Sequence, residues 1–358
     1  MMTVSLVNID HFEVLADIEQ TNPSRAHGID STKARFNTAF HTEHEAPDLL
    51  ARPSEKPYSF KRWLPLILRS RRLAPSDAQI VTLSQPQTRL LLRVAEASIP
   101  LGSINRIYRE EIDEEIVPSF LAIEFPQEGL FMRFDACSAK DGMQKTFENS
   151  PLRSVNEALL LLLTSYRARN TMINALDDGA QVFEVFFMPW NDRMRGEREY
   201  RVFCPAFSSV DSLRISAISQ YRWYQQWRFY LEPDKERRAI VERIVEGAEE
   251  IKVQIAAELD PEDEMDSLLM KQGLTFDVLY DEHLGAIDLI ELNVFGVRSA
   301  CGSCLFQWIN DRKILEGQTE PKALEFRVTF VERVDRESSS ENSNDEGSDA
   351  SRDISSSC

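Results

Sequence analysis

Short apolar runs and residue-by-residue alternation mark several strands along this chain. They are SFLAIEFP from Ser119, GLFMRFD from Gly129, QVFEVFFMPW from Gln181, EYRVFCPAF from Glu199 and RISAISQY from Arg214. Two further runs, in TFDVLYDEHLGAIDLIELNVFG from Thr275 to Gly296, predict a hairpin turning near Glu282 to Ala286. Helical spacing appears in SVNEALLLLLTSYRARNTMINAL, where Ser154 followed by Glu157 forms a capping-box pattern. It appears again in ERRAIVERIVEGAEEIKVQIAAEL, with Ile240, Val241, Ile244, Val245, Ala248, Ile251, Ile255, Ala256 and Leu259 on one stripe and charge on the other face. The segment from Gln79 to Ser98 predicts a short strand followed by either a helix or a second strand. Strands adjacent in sequence, interspersed with helices, predict an α+β fold with antiparallel sheets rather than a regular βαβ alternation.

The pattern weakens at both ends. Thr21 to Pro57 is polar and aperiodic and reads as a flexible lead-in, and a folded region begins where Tyr58, Phe60 and Trp63 arrive together. From Glu337 to Cys358, nine of 22 residues are Ser and six are Asp or Glu, which predicts a disordered acidic tail with Ser343 and Ser348 as ordinary phosphorylation candidates. The expected division is an N-terminal extension over 1–57, lobes over 58–185 and 186–335, and the tail over 336–358.

Length and a 42% hydrophobic content suffice for a buried core, but the formal charge of −18 is unusual. A field of that sign repels phosphate backbones, so direct nucleic-acid binding is not expected. The longest aliphatic run, Leu159 to Leu163, is far short of the roughly 20 residues of a membrane span. The first twenty residues lack the basic start and clean apolar stretch of a secretory signal. Five cysteines do not make a disulfide scaffold, so the expectation is a cytoplasmic protein without a membrane partner.

Strand parity singles out the hairpin's chemistry. Asp277 falls opposite Glu291 and Thr275 opposite Asn293, so Phe276, Val278, Ile290 and Leu292 share an apolar face. The other face then gathers Asp277, Glu291 and Asn293, while Asp281, Glu282 and Asp288 drop out as turn or opposite-face residues. Carboxylates facing each other repel, and either open solvent or a divalent cation relieves them. Lys140 lies in a small-residue turn suited to reaching a phosphate, or simply on the surface. Arg193, Arg195, Arg198 and Arg201 crowd one stretch of an acidic protein. Arg201 lies inside a strand and needs an anion, from Glu199 or another acid or from a bound phosphate. In QYRWYQQWRFYLEP the aromatics with Arg222 and Arg228 suit either core packing or a stacking surface. CGSC at Cys301 to Cys304 is half a zinc site without a second half, and HTEH at His41 to His44 lies in the polar lead-in.

Taken in order, FMRFDACSAKDG, EREYRVFCP, RISAISQY and the Thr275–Gly296 hairpin followed by LFQW resemble the cell division cycle protein 123 family, over roughly Tyr58 to Trp308. The resemblance implies an ATP-grasp fold, in which two α+β lobes with largely antiparallel sheets hold ATP between them. It implies an assembly factor for the heterotrimeric translation initiation factor 2 that binds the γ subunit and promotes its joining to the α subunit. Carried onto this chain, Asp277, Glu291 and Asn293 become Mg²⁺ ligands. Lys140 and Arg201, with Glu199 beside them, meet the ATP phosphates, and Phe187, Met188 and Trp190 form the hinge against adenine. Glu291-Leu292-Asn293 departs from the family's Asp-x-Asn, Met188 and Pro189 stand where a basic residue is expected, and CGSC has no counterpart. The resemblance favours ATP shaping a binding surface over fast turnover. The alternative is an ATP-grasp ligase that joins a carboxylate to an amine or thiol through an acyl phosphate.

Overall fold

The computed structural model describes residues 3–26, 34–48, 52–143, 150–319 and 323–332. The chain opens with β1 (Thr3–Asp10) and α1 (His11–Ala26), then α2 (Phe60–Ser70), β2 (Gln79–Ser84) and α3 (Gln85–Ser98). Next come α4 (Arg109–Glu115), α5 (Val117–Phe120), β3 (Leu130–Phe134), α6 (Val155–Thr164), α7 (Tyr166–Asp177) and β4 (Val182–Pro189). The second half holds β5 (Glu199–Cys204), β6 (Ala217–Gln220), α8 (Asp234–Ala257), α9 (Glu264–Gln272), β7 (Leu274–Asp281), β8 (Ala286–Val294), α10 (Arg312–Leu315) and β9 (Ala323–Phe330).

These elements form a mixed α+β fold with two sheets. The smaller sheet runs β2-β4-β3 and is wholly antiparallel. The larger runs β1-β9-β6-β5-β7-β8, with β6, β5, β7 and β8 successively antiparallel to one another and β9 parallel to both β1 and β6. One face of the large sheet packs on α2, α8 and α9 through Phe276, Val278, Val202, Ile244 and Leu269. The small sheet has its own core, in which Val185 and Phe187 meet Leu91, Leu162 and Met172 from the helices.

The amphipathic stripe on α8 is buried as its spacing predicts, from Ile240 through Ile255. Gln85–Ser98 resolves to a helix, because Ser84 accepts from the Gln87 N–H while the Gln87 side chain reaches back to the Ser84 N–H. The long helix expected from Ser154 is two helices. Ser165 adopts extended backbone between them and accepts from the Ala168 N–H, capping the second. SFLAIEFP from Ser119 is not a strand. Pro118 sits at the start of the short α5, where a missing N–H costs nothing, and Leu121 beyond it faces solvent.

The N-terminal region is more integrated than its polarity suggests. β1 supplies an edge strand of the large sheet, pairing with β9 in register from Thr3↔Ala323 to Asp10↔Phe330. Residues 34–48 are not a free lead-in: Ala34, Phe36, Thr38, His41 and Ala46 are buried. Their backbone is pinned to the 297–306 loop by N–H donation from Asn37 to the Cys304 carbonyl (2.7 Å) and from His41 to the Val297 carbonyl (2.8 Å). The acidic tail, with Ser343 and Ser348, lies outside the described residues.

Candidate functional site

On β5, on β7 and on β8 from Glu291 onward the odd and even positions separate. Tyr200, Val202, Phe276, Val278, Leu292 and Val294 enter the core, which turns Glu199, Arg201, Thr275, Asp277, Glu291 and Asn293 to the opposite face. The register is the one parity predicts, with Asp277 opposite Glu291 and Thr275 opposite Asn293. Asp277 stands between Glu291 on one side and Arg201 on the other. The buried Arg201 meets it with a two-point pair, Nε to Oδ1 at 2.8 Å and Nη2 to Oδ2 at 2.7 Å. A third nitrogen of Arg201, Nη1, donates to the Gly302 carbonyl at 2.6 Å.

Glu291 is met from the small sheet. Arg133 on β3 reaches across and donates from Nη1 to Oε2 at 2.8 Å, with its guanidinium 3.9 Å from the Phe60 ring centre. Repulsion between the two carboxylates is thus relieved by guanidinium groups, one from within the large sheet and one from the small sheet. Asn293 closes the group, its amide nitrogen 3.5 Å from Asp277 Oδ2 and 3.4 Å from Glu291 Oε1. Sequence reasoning passed over Arg133. The signal was available, since an arginine inside the apolar strand FMRF needs an anion for the same reason as Arg201.

A β-bulge corrects one part of the parity argument. The register shifts beyond Asp277, so that Val278 faces Leu289 and Ile290 is left unpaired. Leu289, not Ile290, enters the core. The end of α2 holds this irregularity: Ser70 Oγ accepts the Leu289 N–H at 3.0 Å, and Arg71 donates to the carbonyls of Leu289 (2.9 Å) and Ile290 (3.2 Å). The shift also brings Asp288, opposite Leu279, onto the face of Asp277 and Glu291, where unbroken alternation puts it on the other side. Asp288 Oδ1 is buried without a hydrogen bond among the described residues, 3.8 Å from Arg72.

The remaining predicted residues divide into two groups. Lys140 is exposed at the edge of the site, with Nζ 5.5 Å from the Tyr221 ring centre, and the Arg201 guanidinium lies 5.0 Å from that ring. Lys140 and the half-buried Trp190 also line one small cavity of about 20 Å³ with Phe131, Ser138 and Leu152. Trp190 is held by donation from Nε1 to Asp192 at 2.6 Å and from its N–H to the Gly129 carbonyl. Phe187 and Met188 are different: both side chains are fully committed to cores, Phe187 to that of the small sheet and Met188 to that of the large one. The structure therefore brings Lys140, Glu199, Arg201, Asp277, Glu291 and Asn293 to one region, leaving the side chains of Phe187 and Met188 turned away from it.

The charges on this face act on one another. Burial works to raise the Glu291 carboxyl, but Arg133, then Lys140, outweigh it and hold the pKa at about 2. Burial raises Glu199, and of the charges near it Lys140 opposes this most. Burial likewise pushes Asp277 up against the pull of Arg201, with Glu291 adding to the rise. Only a carboxylate has an acceptor for each arm of the fork, so the two-point geometry is that of an ionised pair. Consistent with this, Arg201 is raised well above the ordinary guanidinium value by Asp277, although burial alone lowers it.

Among the described residues no group of three or more His, Cys, Asp or Glu is arranged to hold a metal. A cation here would rest on two carboxylates and an amide. The donor chemistry fits a hard ion: Glu291 Oε1 keeps lone pairs free, and turning the Asn293 amide over points its oxygen between the two acids. CGSC belongs to no group of metal-ligating residues among the described residues. Cys301 and Cys304 are buried free thiols beside Arg201, raised by burial to about 11 and about 12. In the aromatic segment Trp223, Trp227 and Phe229 are buried, and Arg222 and Arg228 lie over Tyr224 and Phe229, which is core packing with arginines reaching outward. No described helix is long and apolar enough to cross a membrane.

No protein-family model matches the chain, and no curated protein matches it. Among solved structures it is similar to Cdc123 from Schizosaccharomyces pombe, at 18% identity over 76% of this chain and 95% of that one, with a TM-score of 0.49. It is equally similar to the C-terminally truncated form of that protein, at 18% identity and a TM-score of 0.49 over 76% of this chain and 96% of that one. The sequence motifs resemble this same family.

Proposed function

We propose that this protein is a Mg-ATP-binding assembly factor with an ATP-grasp-like arrangement, acting on the γ subunit of translation initiation factor 2 in a cytoplasmic setting. The observation that carries the nucleotide part is the meeting of Arg133 from the small sheet with Glu291 from the large one. Asp277, Arg201 and Asn293 stand alongside, and Lys140 lies at the edge. Three cationic side chains from two lobes then face one carboxylate pair, a charge distribution suited to a phosphate chain carried with a divalent ion. Asp277, Glu291 and Asn293 would hold Mg²⁺, which screens the phosphate oxygens when bound. Lys140, Arg133 and Arg201 orient the phosphates. The side chains of Phe187 and Met188 are buried, so adenine recognition would fall to the backbone there and to Trp190.

The partner part of this reading rests on the ordered sequence motifs. Binding rather than fast turnover is the expected role, as the family resemblance implies, with Arg201 and Arg133 engaged by Asp277 and Glu291. The test is calorimetric titration of Mg-ATP into the wild type, Asn293→Leu and Lys140→Ala, with capture of the purified initiation-factor γ subunit in parallel. Micromolar affinity, weakened at least tenfold by either substitution, is expected, together with γ-subunit capture by the wild type. Equal affinity in all three proteins removes the nucleotide assignment, and nucleotide binding without capture removes the partner.

A further inference from the structure

Residues 34–48 cross the large sheet on the face that carries Arg201, since Ala46 packs with Phe203, two residues along β5. What holds them there is the irregular 297–306 loop. Besides the bonds from Asn37 and His41, Phe40 donates to the Ser299 carbonyl at 3.0 Å and Ser303 Oγ accepts the Thr38 N–H at 2.9 Å. Asn37 Oδ1 accepts the Cys304 N–H at 3.2 Å and closes on Gly302, where a Cβ would fall 2.2 Å from it. The loop in turn supports Arg201, whose Nη1 donates to the Gly302 carbonyl at 2.6 Å. The contact is strained. Asn37, Phe40 and Cys304 have left-handed backbone, at φ of 51°, 54° and 51°, and outside glycine only Arg72 shares this among the described residues. Strain of this kind collects in switch regions, where the surroundings must hold it in place.

His41 stands in the middle of this contact. Its side chain is wholly buried, yet neither ring nitrogen has a hydrogen bond among the described residues. A neutral imidazole tolerates that poorly and an imidazolium far worse, because a buried charge needs both a partner and hydrogen bonds. The nearest carboxylate is Glu45 on the same segment, with Oε2 3.8 Å from Nδ1 and engaged by the Thr42 N–H. From the loop, the buried Arg298 donates to the Ala46 carbonyl at 2.7 Å and lies 3.9 Å from Glu43. At the far end Arg312 holds Asp48 at 2.6 Å, and the packing around Ala46 is apolar. Burial lowers the His41 pKa below its ordinary value, with Glu45 opposing the shift.

We infer that residues 34–48 form a proton-operated strap: protonation of His41 releases them from the 297–306 loop and so frees the Gly302 carbonyl that holds Arg201. An open strap returns the imidazole to water, where it takes up a proton near pH 6.5, whereas the closed strap resists that proton. The closed form is therefore fully favoured above about pH 6.5 and loses ground as pH falls below it. This behaviour is independent of the nucleotide reading and stands if that reading fails.

The experiment is hydrogen–deuterium exchange of the full chain at pH 7.5 and 5.5, read in peptides covering 34–48 and 297–308 and expressed relative to the unfolded chain at the same pH. Opening of both segments should increase about three- to tenfold at the lower pH, ten being about the most that one group titrating near 6.5 can give over this interval. In His41→Phe, which fills the space and takes no proton, the increase should vanish. Glu45→Gln should enlarge it, because the carboxylate that favours the imidazolium is gone, and this variant leaves the buried ring in place. An increase below about twofold in the wild type overturns the assignment, as does an equal increase in His41→Phe or a smaller one in Glu45→Gln. An increase confined to residues 11–26 overturns it too, since that assigns the response to His11 on α1, which burial also lowers.

Discussion

Arg201 and Asp277 stand opposite each other on β5 and β7 and are joined by two hydrogen bonds of 2.8 and 2.7 Å, both side chains being almost wholly buried. Removing one partner of such a pair strands a charge where water cannot reach it, at a cost of about 3–5 kcal/mol. Asp277→Ala should lose that much in urea unfolding at pH 7. Arg201→Met with Asp277→Leu should recover most of it, because an apolar pair leaves no buried charge. A loss below about 1 kcal/mol in the single variant is incompatible with the pair as described. Asp277 is therefore a poor probe of ligand binding, and Asn293 and Lys140 serve better.

Arg133 and Glu291 tie the two sheets together, and the tie has a defined acid limit. The Glu291 carboxyl is lowered from 4.5 to about 2, so it contributes stability that is fully present above its unfolded value and is lost as pH falls from about 4.5 toward 2. Glu291→Gln should destabilise the protein by about 1–3 kcal/mol at pH 7, the range for a hydrogen bond to a charged group. The gap between variant and wild type should narrow as pH is lowered through 4 and 3. Parallel stability curves from pH 7 to 3 would falsify the shift.

Parity made half of this site legible. The pairing of Asp277 with Glu291 and of Thr275 with Asn293 follows from period-two alternation and a turn of known length. The bulge at Ile290 does not follow, because its cause is remote in sequence: Ser70 and Arg71 at the end of α2 bind the backbone of Leu289 and Ile290. Unbroken alternation misplaces Asp288 for that reason alone. Residues 34–48 were misread differently, since a segment that packs through backbone bonds to another irregular loop carries no periodic signal. Arg133 is legible for the same reason as Arg201, since an arginine inside an apolar strand needs an anion.

The CGSC thiols should be chemically silent in the folded protein. With values near 11 and 12, Cys301 and Cys304 hold only about one thiolate in a thousand or fewer at pH 8, and burial blocks access as well. Iodoacetamide labelling at pH 8, read by mass spectrometry, should spare both while modifying the half-buried Cys137. Unfolding in urea should make all three react at similar rates. Labelling of Cys301 as fast as Cys137 in the native state would reopen a redox role.

Gly247 lies in the middle of α8, where alanine ordinarily stabilises a helix by about 1 kcal/mol. Here the opposite is expected. A Cβ at Gly247 would fall 2.1 Å from Ile287 Cγ1 and 2.7 Å from Ile287 Cβ, so the helix and β8 must separate to admit it. Overpacking of this kind costs about 1–3 kcal/mol, which exceeds the helix gain in most of that range. Because β8 carries Glu291 and Asn293, the displacement should also weaken ligand binding at the site. The discriminating variant is Gly247→Ala combined with Ile287→Ala. Removing the Ile287 branch takes away the clashing Cγ1 but leaves Cβ at 2.7 Å, so Gly247→Ala should destabilise the Ile287→Ala background less than it destabilises the wild type. If Gly247→Ala stabilises the wild type in urea unfolding, α8 does not press on β8 as closely as these distances require.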